Sequence, residues 1–221
     1  MAIPISPPAQ MLDGQVVAVL RTAHAREYPP IIESLVMGGV RFIELTLTTR
    51  GVFDLLPDIG SAFGDVAQIG IGTITTESEA ERALDVGARF LVTPTMNLGV
   101  VRAGLRRETP VVPGGLTPTE IHAGWNAGAT AVKVFPASAV GPDYLRQLHG
   151  PFPNLPVIPS GGISIDDAPR WIAAGALAVS LGGPLVGDAF ASGSLHQLTD
   201  RARRVTDMVA AAAEERRGNS Q

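Results

Sequence analysis

One residue type is nearly missing from this chain, and where it occurs it could do covalent chemistry. Of the 17 basic residues, 16 are arginines and only Lys133 is a lysine. It lies in Ala-Val-Lys-Val-Phe-Pro, between apolar residues that favour β-strands. Removal from water favours the neutral form of an amine, which can attack a ketone to form a Schiff base. The sequence therefore indicates Lys133 as a candidate nucleophile.

A carboxylate with a similar apolar setting is the natural partner for this amine. Glu44 lies in Phe-Ile-Glu-Leu-Thr-Leu, and near an amine nucleophile it could shuttle protons during Schiff-base formation and C–C bond cleavage. The alternative is a structural ion pair between Glu44 and Lys133 that fixes the strand register. A purely structural pair could equally use arginine, which this chain prefers.

Two glycine-rich turns and one arginine are candidates for binding anions. Ser160-Gly161-Gly162 and Gly182-Gly183 could hold a phosphate through backbone N–H groups, because glycine lets the backbone approach closely. Tight turns alone could also require these glycines. Arg21, at the end of Val-Ala-Val-Leu-Arg, could grip a substrate carboxylate through a forked contact or form a salt bridge at the rim.

Three further residues fall at the ends of predicted strands, where they could shape a pocket or simply pack at the rim. They are Thr73, Pro94 and Phe135. The histidines show no metal-ligand spacing and no acidic cluster suggests a cage for a cation, so we expect neither a metal nor a cofactor. The histidines are His24, His122, His149 and His196.

These residues must be positioned by short apolar runs that alternate with helix-like segments. The helix starts include Thr76–Glu79, Thr117–Glu120 and Ser164–Asp167. Eight such units predict an α/β protein with a single-domain (β/α)8 TIM barrel over about residues 15–190. A doubly wound open sheet would more naturally stop at five or six strands. The runs are Val16–Arg21, Phe42–Leu47, Ala67–Thr73, Phe90–Pro94, Pro110–Gly114, Ala131–Pro136, Pro156–Gly161 and Leu177–Gly183.

An internal repeat predicts which side chains share a layer. Four similar segments begin at glycines that lie 41 to 48 residues apart, about two βα units, and so mark strands two, four, six and eight. Alternate strands contribute the side chains of one interior layer in such barrels. The residues five positions after each glycine should therefore point inward together. The glycines are Gly39, Gly87, Gly128 and Gly175, and the layer residues are Glu44, Val92, Lys133 and Ser180.

The composition and the two ends of the chain limit which partners and locations we expect. A net charge of −4 and a pI near 5.5 give no reason to expect nucleic-acid binding. No apolar run is long enough for a membrane span, and with no cysteine a cytoplasmic location is the default expectation. We expect residues 2–13 to lie against the bottom of the barrel. A C-terminal helix over about 194–213 should precede a short polar tail that includes Arg216 and is solvated.

Taken together, these residues resemble one family over roughly Gln15 to Asp188: the 2-keto-3-deoxy-6-phosphogluconate and 4-hydroxy-2-oxoglutarate aldolases, including the 6-phosphogalactonate branch. The matching stretches are Val-Ala-Val-Leu-Arg21, Ile-Glu44-Leu-Thr, Gly70-Ile-Gly-Thr73, Val-Thr-Pro94, Lys133-Val-Phe-Pro136, Gly141-Pro142 and Pro159-Ser-Gly-Gly-Ile163.

The resemblance implies a metal-free class I mechanism, usually in a homotrimer. Lys133 would form an iminium with the substrate C2 ketone, and Glu44, directly or through a water, would take the C4-hydroxyl proton as the C3–C4 bond breaks. Thr73 and Arg21 would bind the carboxylate region of the pyruvyl unit. Pro94 and Phe135 would shape the pocket.

Three positions depart from the family pattern. Ser160 replaces a frequent threonine, and its hydroxyl can still bond a substrate hydroxyl. Pro184 replaces a common serine and has neither a hydroxyl nor an N–H, which removes a donor for phosphate. Thr48 stands where many members carry an arginine, which leaves carboxylate binding to Arg21.

The sequence therefore predicts an aldolase that cleaves a 2-keto-3-deoxy sugar acid, in its 6-phosphorylated form, to pyruvate and an aldehyde such as glyceraldehyde 3-phosphate. One alternative is a phosphosugar isomerase or epimerase barrel that forms no Schiff base. Another is a catalytically silent barrel that serves as an assembly subunit. The sequence does not identify the sugar acid or its C4 configuration.

Overall fold

The computed structural model describes residues 5–8, 15–191 and 193–218, in which short parallel strands alternate with helices along the chain. The strands are β1 Val16–Leu20, β2 Phe42–Thr46, β3 Gln68–Gly72, β4 Leu91–Val92, β5 Val111–Val112, β6 Gly114–Gly115, β7 Val132–Val134, β8 Val157–Pro159 and β9 Val179–Leu181. The helices are α1 Tyr28–Met37, α2 Val52–Phe63, α3 Glu77–Asp85, α4 Leu98–Arg106, α5 Pro118–Asn126, α6 Asp143–His149, α7 Ala168–Ala173, α8 Gly183–Val186 and α9 Leu195–Gly218. Two 3₁₀ turns span Ala25–Glu27 and Ala137–Ala139.

The strands form a curled parallel sheet in two hydrogen-bonded parts. One part has the order β5-β4-β3-β2-β1-β9 and the other the order β6-β7-β8. An isolated parallel bridge between Ser160 and Ser180 links the end of β8 to β9. The fifth predicted run, Pro110–Gly114, is divided into β5 and β6 by Pro113, because proline has no N–H to continue the ladder. The prediction of one strand there was therefore wrong in detail.

Apolar side chains pack on both faces of the sheet, as buried parallel strands require. The larger cluster lies between the sheet and the helices and includes Ile43, Leu91 and Val132. A smaller cluster fills the inside of the curl. Its members are Val17, Phe42, Phe90, Val92, Val112, Ala131, Ile158 and Ala178.

The predicted interior layer is confirmed. Glu44, Val92, Lys133 and Ser180 all line one cavity inside the curl. The glycines that begin the repeats each follow a helix and adopt a left-handed backbone, with φ between 94° and 107°. Other residues rarely adopt this conformation, so these glycines end the helices and set where the next strands begin.

Two of the three predicted helix starts are confirmed, and one was wrong. Thr76 and Thr117 each accept a hydrogen bond from the backbone three residues on, and Glu79 and Glu120 reach back to complete capping boxes. In the third case the helix begins at Ala168, because the Ser164 and Asp167 side chains bond each other in a turn that precedes it.

The prediction for the C-terminal end was also wrong. α9 continues to Gly218, beyond the predicted end near residue 213. Arg216 was expected to be solvated, yet its Nη1 donates hydrogen bonds of 2.8 and 3.0 Å to the carbonyls of Ile172 and Ala176. These bonds fasten the last turns of α9 to the end of α7 and to the segment that follows it.

The predicted leading segment, residues 2–13, lies mostly outside the described residues. Within it Pro8 lines the same surface pocket as Gln68, Arg89 and Pro110, which lie near the N-terminal ends of β3, β4 and β5. None of the helices that the structure describes is both long enough and apolar enough to cross a membrane.

Candidate active site

A pocket of about 210 Å³ opens at the carboxyl ends of the strands. The structure brings all of the sequence-predicted site residues together around it. They are Arg21, Glu44, Thr73, Pro94, Lys133, Phe135, Ser160, Gly161, Gly162, Gly182 and Gly183. Val19, Ile163, Ser180 and Pro184 complete the lining.

Lys133 and Glu44 face each other at the floor of this pocket. Lys133 lies on β7 and Glu44 on β2, and Nζ is 3.7 Å from Glu44 Oε2. Both side chains are buried, with 9% of Lys133 and 2% of Glu44 exposed. Lys133 Nζ is also 5.4 Å from the centroid of the Phe135 ring, within the range of an ammonium–ring attraction. The amine is therefore desolvated but reachable from the pocket.

The Glu44 carboxylate is held in a tight space on the neighbouring strand. Glu44 pairs in register with Gly70 of β3, and a Cβ at Gly72 would lie only 1.9 Å from Glu44 Oε1. Glycine at 72 therefore makes room for the carboxylate. Glu44 Oε2 is buried and accepts no hydrogen bond from any described residue. A buried carboxylate oxygen with so few partners is costly for stability, which is typical of residues kept for chemistry.

Thr73, directly after β3, has a strained backbone. Its φ is +62°, in the left-handed region that β-branched residues avoid. Such strain costs about 1–3 kcal/mol and is concentrated at functional sites. Thr73 lies on the pocket wall.

Arg21 is oriented by a chain of hydroxyl groups. Its Nη1 donates to Thr48 Oγ1 at 3.0 Å, and Thr48 is 3.1 Å from Thr46 Oγ1. Thr46 contacts Thr49 at 3.5 Å, and Tyr28 donates to Thr49 at 2.7 Å. Burial raises the pKa of Tyr28, so its hydroxyl stays protonated as a donor. Arg21 forms no salt bridge with the described residues, so the alternative role of a rim ion pair is not observed there.

The Ser160-Gly161-Gly162 turn needs its glycines for both conformation and space. Gly161 and Gly162 have φ values of +89° and +75°. A Cβ at Gly161 would lie 2.9 Å from the Phe135 ring, and one at Gly162 would lie 2.5 Å from Ser138 Cβ. Within the described ranges, the N–H groups of Gly161, Gly162 and Ile163 donate to no protein acceptor. They remain available to a ligand.

In the second glycine turn, Gly182-Gly183, contacts within the protein do not account for the choice of glycine. A Cβ at Gly183 would meet nothing within 4 Å, and one at Gly182 would meet only Val19, at 3.7 and 3.8 Å. Neither residue has a positive φ. Glycine here leaves the backbone open to the pocket. Pro184, next in the chain, lines the same wall without an N–H to donate.

Sequence reasoning assigned no role in the site to Ser180 or Gly72. Ser180 Oγ accepts a 3.2 Å hydrogen bond from Ser160, and the residue Ser180 is 4% exposed. Its place in the repeat predicted that it points inward with Lys133, and a polar residue at such a position was the available signal. For Gly72 the signal was a glycine within a strand, which often marks a close approach of another group.

This arrangement can perform amine chemistry on a carbonyl compound. A desolvated primary amine, a carboxylate within 4 Å, one guanidinium and several unused N–H groups converge on one pocket. An amine can attack a carbonyl carbon and the carboxylate can transfer protons, while the remaining donors hold anionic groups of the substrate. Across the described residues, no three or more His, Asp or Glu side chains gather as a metal cage.

Comparisons with known proteins agree with this chemistry. Residues 8–200 match the sequence model of a family of aldolases that is described as KDPG and KHG aldolase. A 2-dehydro-3-deoxy-6-phosphogalactonate aldolase of Escherichia coli K12 is 31% identical over 170 residues, which covers 76% of this chain and 83% of that protein.

Two solved structures are also similar. One is a KDPG aldolase from Legionella pneumophila with pyruvate captured at low pH as a covalent carbinolamine intermediate. It superposes with a TM-score of 0.76 at 26% identity and covers 92% of this chain and 96% of that one. The other is a cube-shaped protein cage designed by fusing symmetric oligomeric domains. Its TM-score is 0.85 at 27% identity, with coverage of 93% of this chain and 76% of that one.

Proposed function

Because the chain belongs to the family of KDPG and KHG aldolases, we propose that Lys133 is the amine that forms the Schiff base with the substrate. The chain is a carbon–carbon lyase that works through a Schiff base and releases pyruvate and an aldehyde. One observation supports this assignment above all. The single lysine of the sequence is buried at the floor of the pocket, with Nζ 3.7 Å from the Glu44 carboxylate.

In the proposed reaction Lys133 Nζ attacks the C2 ketone of a 2-keto-3-deoxy sugar acid to give a carbinolamine, which loses water to become an iminium. Glu44 then accepts the C4-hydroxyl proton, directly or through a water, while the C3–C4 bond breaks and its electrons pass to the iminium. The aldehyde leaves. The remaining enamine takes a proton at C3, and hydrolysis releases pyruvate and free Lys133.

The other pocket residues would bind and orient the two ends of the substrate. Arg21 and Thr73 are proposed to hold the carboxylate, because they are the guanidinium and the strained hydroxyl residue on the pocket wall. Pro94 and Phe135 would confine the pyruvyl unit, and the Ser160 hydroxyl would bond a substrate hydroxyl.

We propose a phosphate at C6 of the substrate, bound by the backbone of the two glycine turns. The unused N–H groups of Gly161 and Gly162 support this proposal, as does the open backbone at Gly182 and Gly183. Pro184 supplies no N–H, so these donors would have to suffice without the one that a serine would add.

We also propose that the curled sheet is a closed (β/α)8 barrel forming a single domain. Support comes from the Ser160–Ser180 bridge and from Pro113, the single residue between β5 and β6. A homotrimer is proposed from the family resemblance and from the similarity to a cage built of symmetric oligomeric domains. Sedimentation velocity should give the mass of three 23.0 kDa chains, and a monomer at working concentrations would reject the trimer. Cytoplasmic residence stays a prediction, and we propose a role in carbohydrate metabolism because the proposed substrate is a sugar acid.

The experiment that tests this function is a pyruvate-release assay with 2-keto-3-deoxy-gluconate and 2-keto-3-deoxy-galactonate, each with and without a 6-phosphate. We expect release from the phosphorylated forms with a kcat/KM at least tenfold above that of the unphosphorylated forms. Equal rates with and without phosphate would overturn the proposed phosphate site, whereas no release from any form would overturn the substrate class.

Lys133→Met is the matched control in this assay, because it removes the amine and keeps the length and apolar stem of the side chain. The aldolase assignment predicts that pyruvate release is abolished. The alternative function, an isomerase or epimerase without a Schiff base, predicts phosphosugar turnover that survives this change.

A further inference from the structure

A groove of about 410 Å³ lies beside the active-site pocket and shares one wall with it. Gly182 and Gly183 belong to this wall and have no side chains to stand between the two spaces. A ligand bound to Lys133 can therefore extend from the pocket into the neighbouring space, which we call the side groove. The residues that line both spaces are Val19, Arg21, Gly182 and Gly183.

Apolar side chains dominate the far wall of the side groove. Val186 is buried, and the Phe190 ring packs edge-on against the buried ring of Tyr28, with the ring centroids 6.1 Å apart. A wall of this kind stabilises an apolar group because it removes that group from water. The residues of this wall are Val186, Gly187, Asp188, Phe190 and Ala191.

The turn that forms the far wall is fixed by Arg201 of α9. Its Nε donates to the Leu185 carbonyl and its Nη2 to the Val186 carbonyl, each at 2.8 Å. Gly187 has a φ of +60°, and a Cβ there would lie 2.9 Å from Arg201 Nη2. The side groove is thus formed before a ligand arrives, which lowers the cost of ordering on binding.

The charges around the side groove disfavour an anionic ligand. Arg21 and Asp188 are its charged residues within the described ranges, and they have opposite signs. In the proposed function Arg21 holds the pyruvyl carboxylate, which leaves the negative charge of Asp188 without that offset. A carboxylate repels a phosphate, whereas an uncharged apolar group meets no such repulsion. An uncharged apolar tail is therefore the ligand that suits this space.

We propose that the side groove is a subsite for aldehydes with an apolar tail, used in the direction of C–C bond formation. The inference rests on the proposed function, because it requires the enamine of pyruvate on Lys133. C3 of the enamine attacks the aldehyde carbon, and the aldehyde oxygen takes a proton from the Glu44 carboxyl group while the nitrogen becomes an iminium. Water then hydrolyses the iminium and releases a 4-hydroxy-2-keto acid and free Lys133.

The test compares two aldehydes that differ only in the tail. Propanal and 3-phenylpropanal carry the same groups next to the carbonyl, so their intrinsic reactivities are nearly equal. NMR follows the formation of the 4-hydroxy-2-keto acid from pyruvate and each aldehyde. We expect a kcat/KM for 3-phenylpropanal about tenfold or more above that for propanal, because the side groove removes the ring from water.

Ala191→Trp fills the side groove from an exposed turn and should lower the ratio of the two kcat/KM values about tenfold. Ala211→Trp is the matched control and should keep the parent ratio, because Ala211 is exposed on α9 and lines neither space. If circular dichroism shows that Ala191→Trp is unfolded, Ala191→Phe takes its place. Equal kcat/KM values for the two aldehydes in the parent protein, or a high ratio that the filled variant keeps, overturn the inference.

Borohydride trapping of pyruvate separates this inference from the proposed function. An adduct on Lys133 together with equal kcat/KM values, or with no addition to either aldehyde, rejects the side groove alone. No adduct on Lys133 rejects the role of this amine, and the proposed subsite is rejected with it.

Discussion

At the scale of single residues, the site depends on two buried ionisable groups that need each other. Lys133 and Glu44 lie 3.7 Å apart in a region nearly free of solvent. Replacing either group leaves the other without its partner, which is strongly unfavourable for a charged form. Their chemical roles are separable, because the amine forms the covalent bond and the carboxylate moves protons.

Glu44→Gln should lower the rate of substrate cleavage by about a hundredfold or more, because an amide does not accept the C4-hydroxyl proton as a carboxylate does. The pyruvate adduct on Lys133 should still form during long incubation. Steady-state kinetics and trapping on the same preparation check both points. A cleavage rate within twofold of the parent protein would exclude Glu44 as the proton acceptor.

Thr48→Val should raise the KM for the sugar acid about fivefold and leave kcat nearly unchanged. The Arg21 guanidinium loses its 3.0 Å hydrogen bond to Thr48, and a bond of this kind contributes about 1 kcal/mol. Steady-state kinetics give the separation of KM from kcat.

Thr48→Ser keeps the hydroxyl and should restore the parent KM. If Thr48→Val binds the substrate as well as the parent protein does, Thr48 does not orient Arg21.

The sequence predicted the residues that line the pocket better than the bonds among them. Lys133 and Glu44 were found from residue type, apolar neighbours and the repeat. The hydrogen bond between Arg21 and Thr48 joins two loops 27 residues apart along the chain. It depends on side-chain rotamers, which the spacing of apolar and polar residues in the sequence does not predict. The space that Gly72 gives Glu44 is likewise visible only once β2 and β3 are paired.

At the scale of helices and strands, local sequence signals decide where most elements begin. The capping boxes at Thr76 and Thr117 are formed by side chains three residues apart, so a short window of sequence contains them. The division of the fifth run at Pro113 depends instead on how a missing N–H interrupts pairing with neighbouring strands. The late start of α7 depends on a competing side-chain bond between Ser164 and Asp167.

Glu120→Gln should destabilise the protein near neutral pH, and the difference should shrink in acid. The backbone N–H of Thr117, then its hydroxyl and the Leu116 N–H, lower the pKa of Glu120 below its usual value. A lowered pKa in the folded state contributes stability above the unfolded pKa, which is lost as pH falls through the folded value. Urea unfolding as a function of pH measures this difference.

Thr117→Ala removes the other half of the same capping box and should cost about 1 kcal/mol near neutral pH. Thr119→Ala is the control, since it makes the same change two residues further along the exposed first turn of α5. Equal stability of the two alanine variants would contradict the capping role.

At the scale of the whole molecule, α9 closes the fold by packing on α7 and α1. The approach to α1 is close enough that a Cβ at Gly38 would lie 2.4 Å from Ala202 Cβ. Arg216 fastens the far end of α9 through the carbonyls of Ile172 and Ala176. The sequence did not predict this anchor, because a polar C-terminal stretch is typical of a solvated tail and its acceptors lie 40 and 44 residues away.

Arg216→Met should lower the Tm by about 3 °C, because two backbone carbonyls lose a charged donor. Hydrogen–deuterium exchange should rise in the last turns of α9. Arg217→Met, on the exposed neighbour, is the control and should leave both quantities unchanged. Identical melting of the two variants would show that the anchor adds nothing to stability.

The most direct measurement for the whole account is borohydride reduction of the protein with pyruvate, followed by peptide mass spectrometry. The expected result is one reduced pyruvyl adduct, located on Lys133 and absent from Lys133→Met. Folded protein that carries no adduct after reduction, or an adduct at the N-terminal amine in place of Lys133, would contradict the assignment of Lys133.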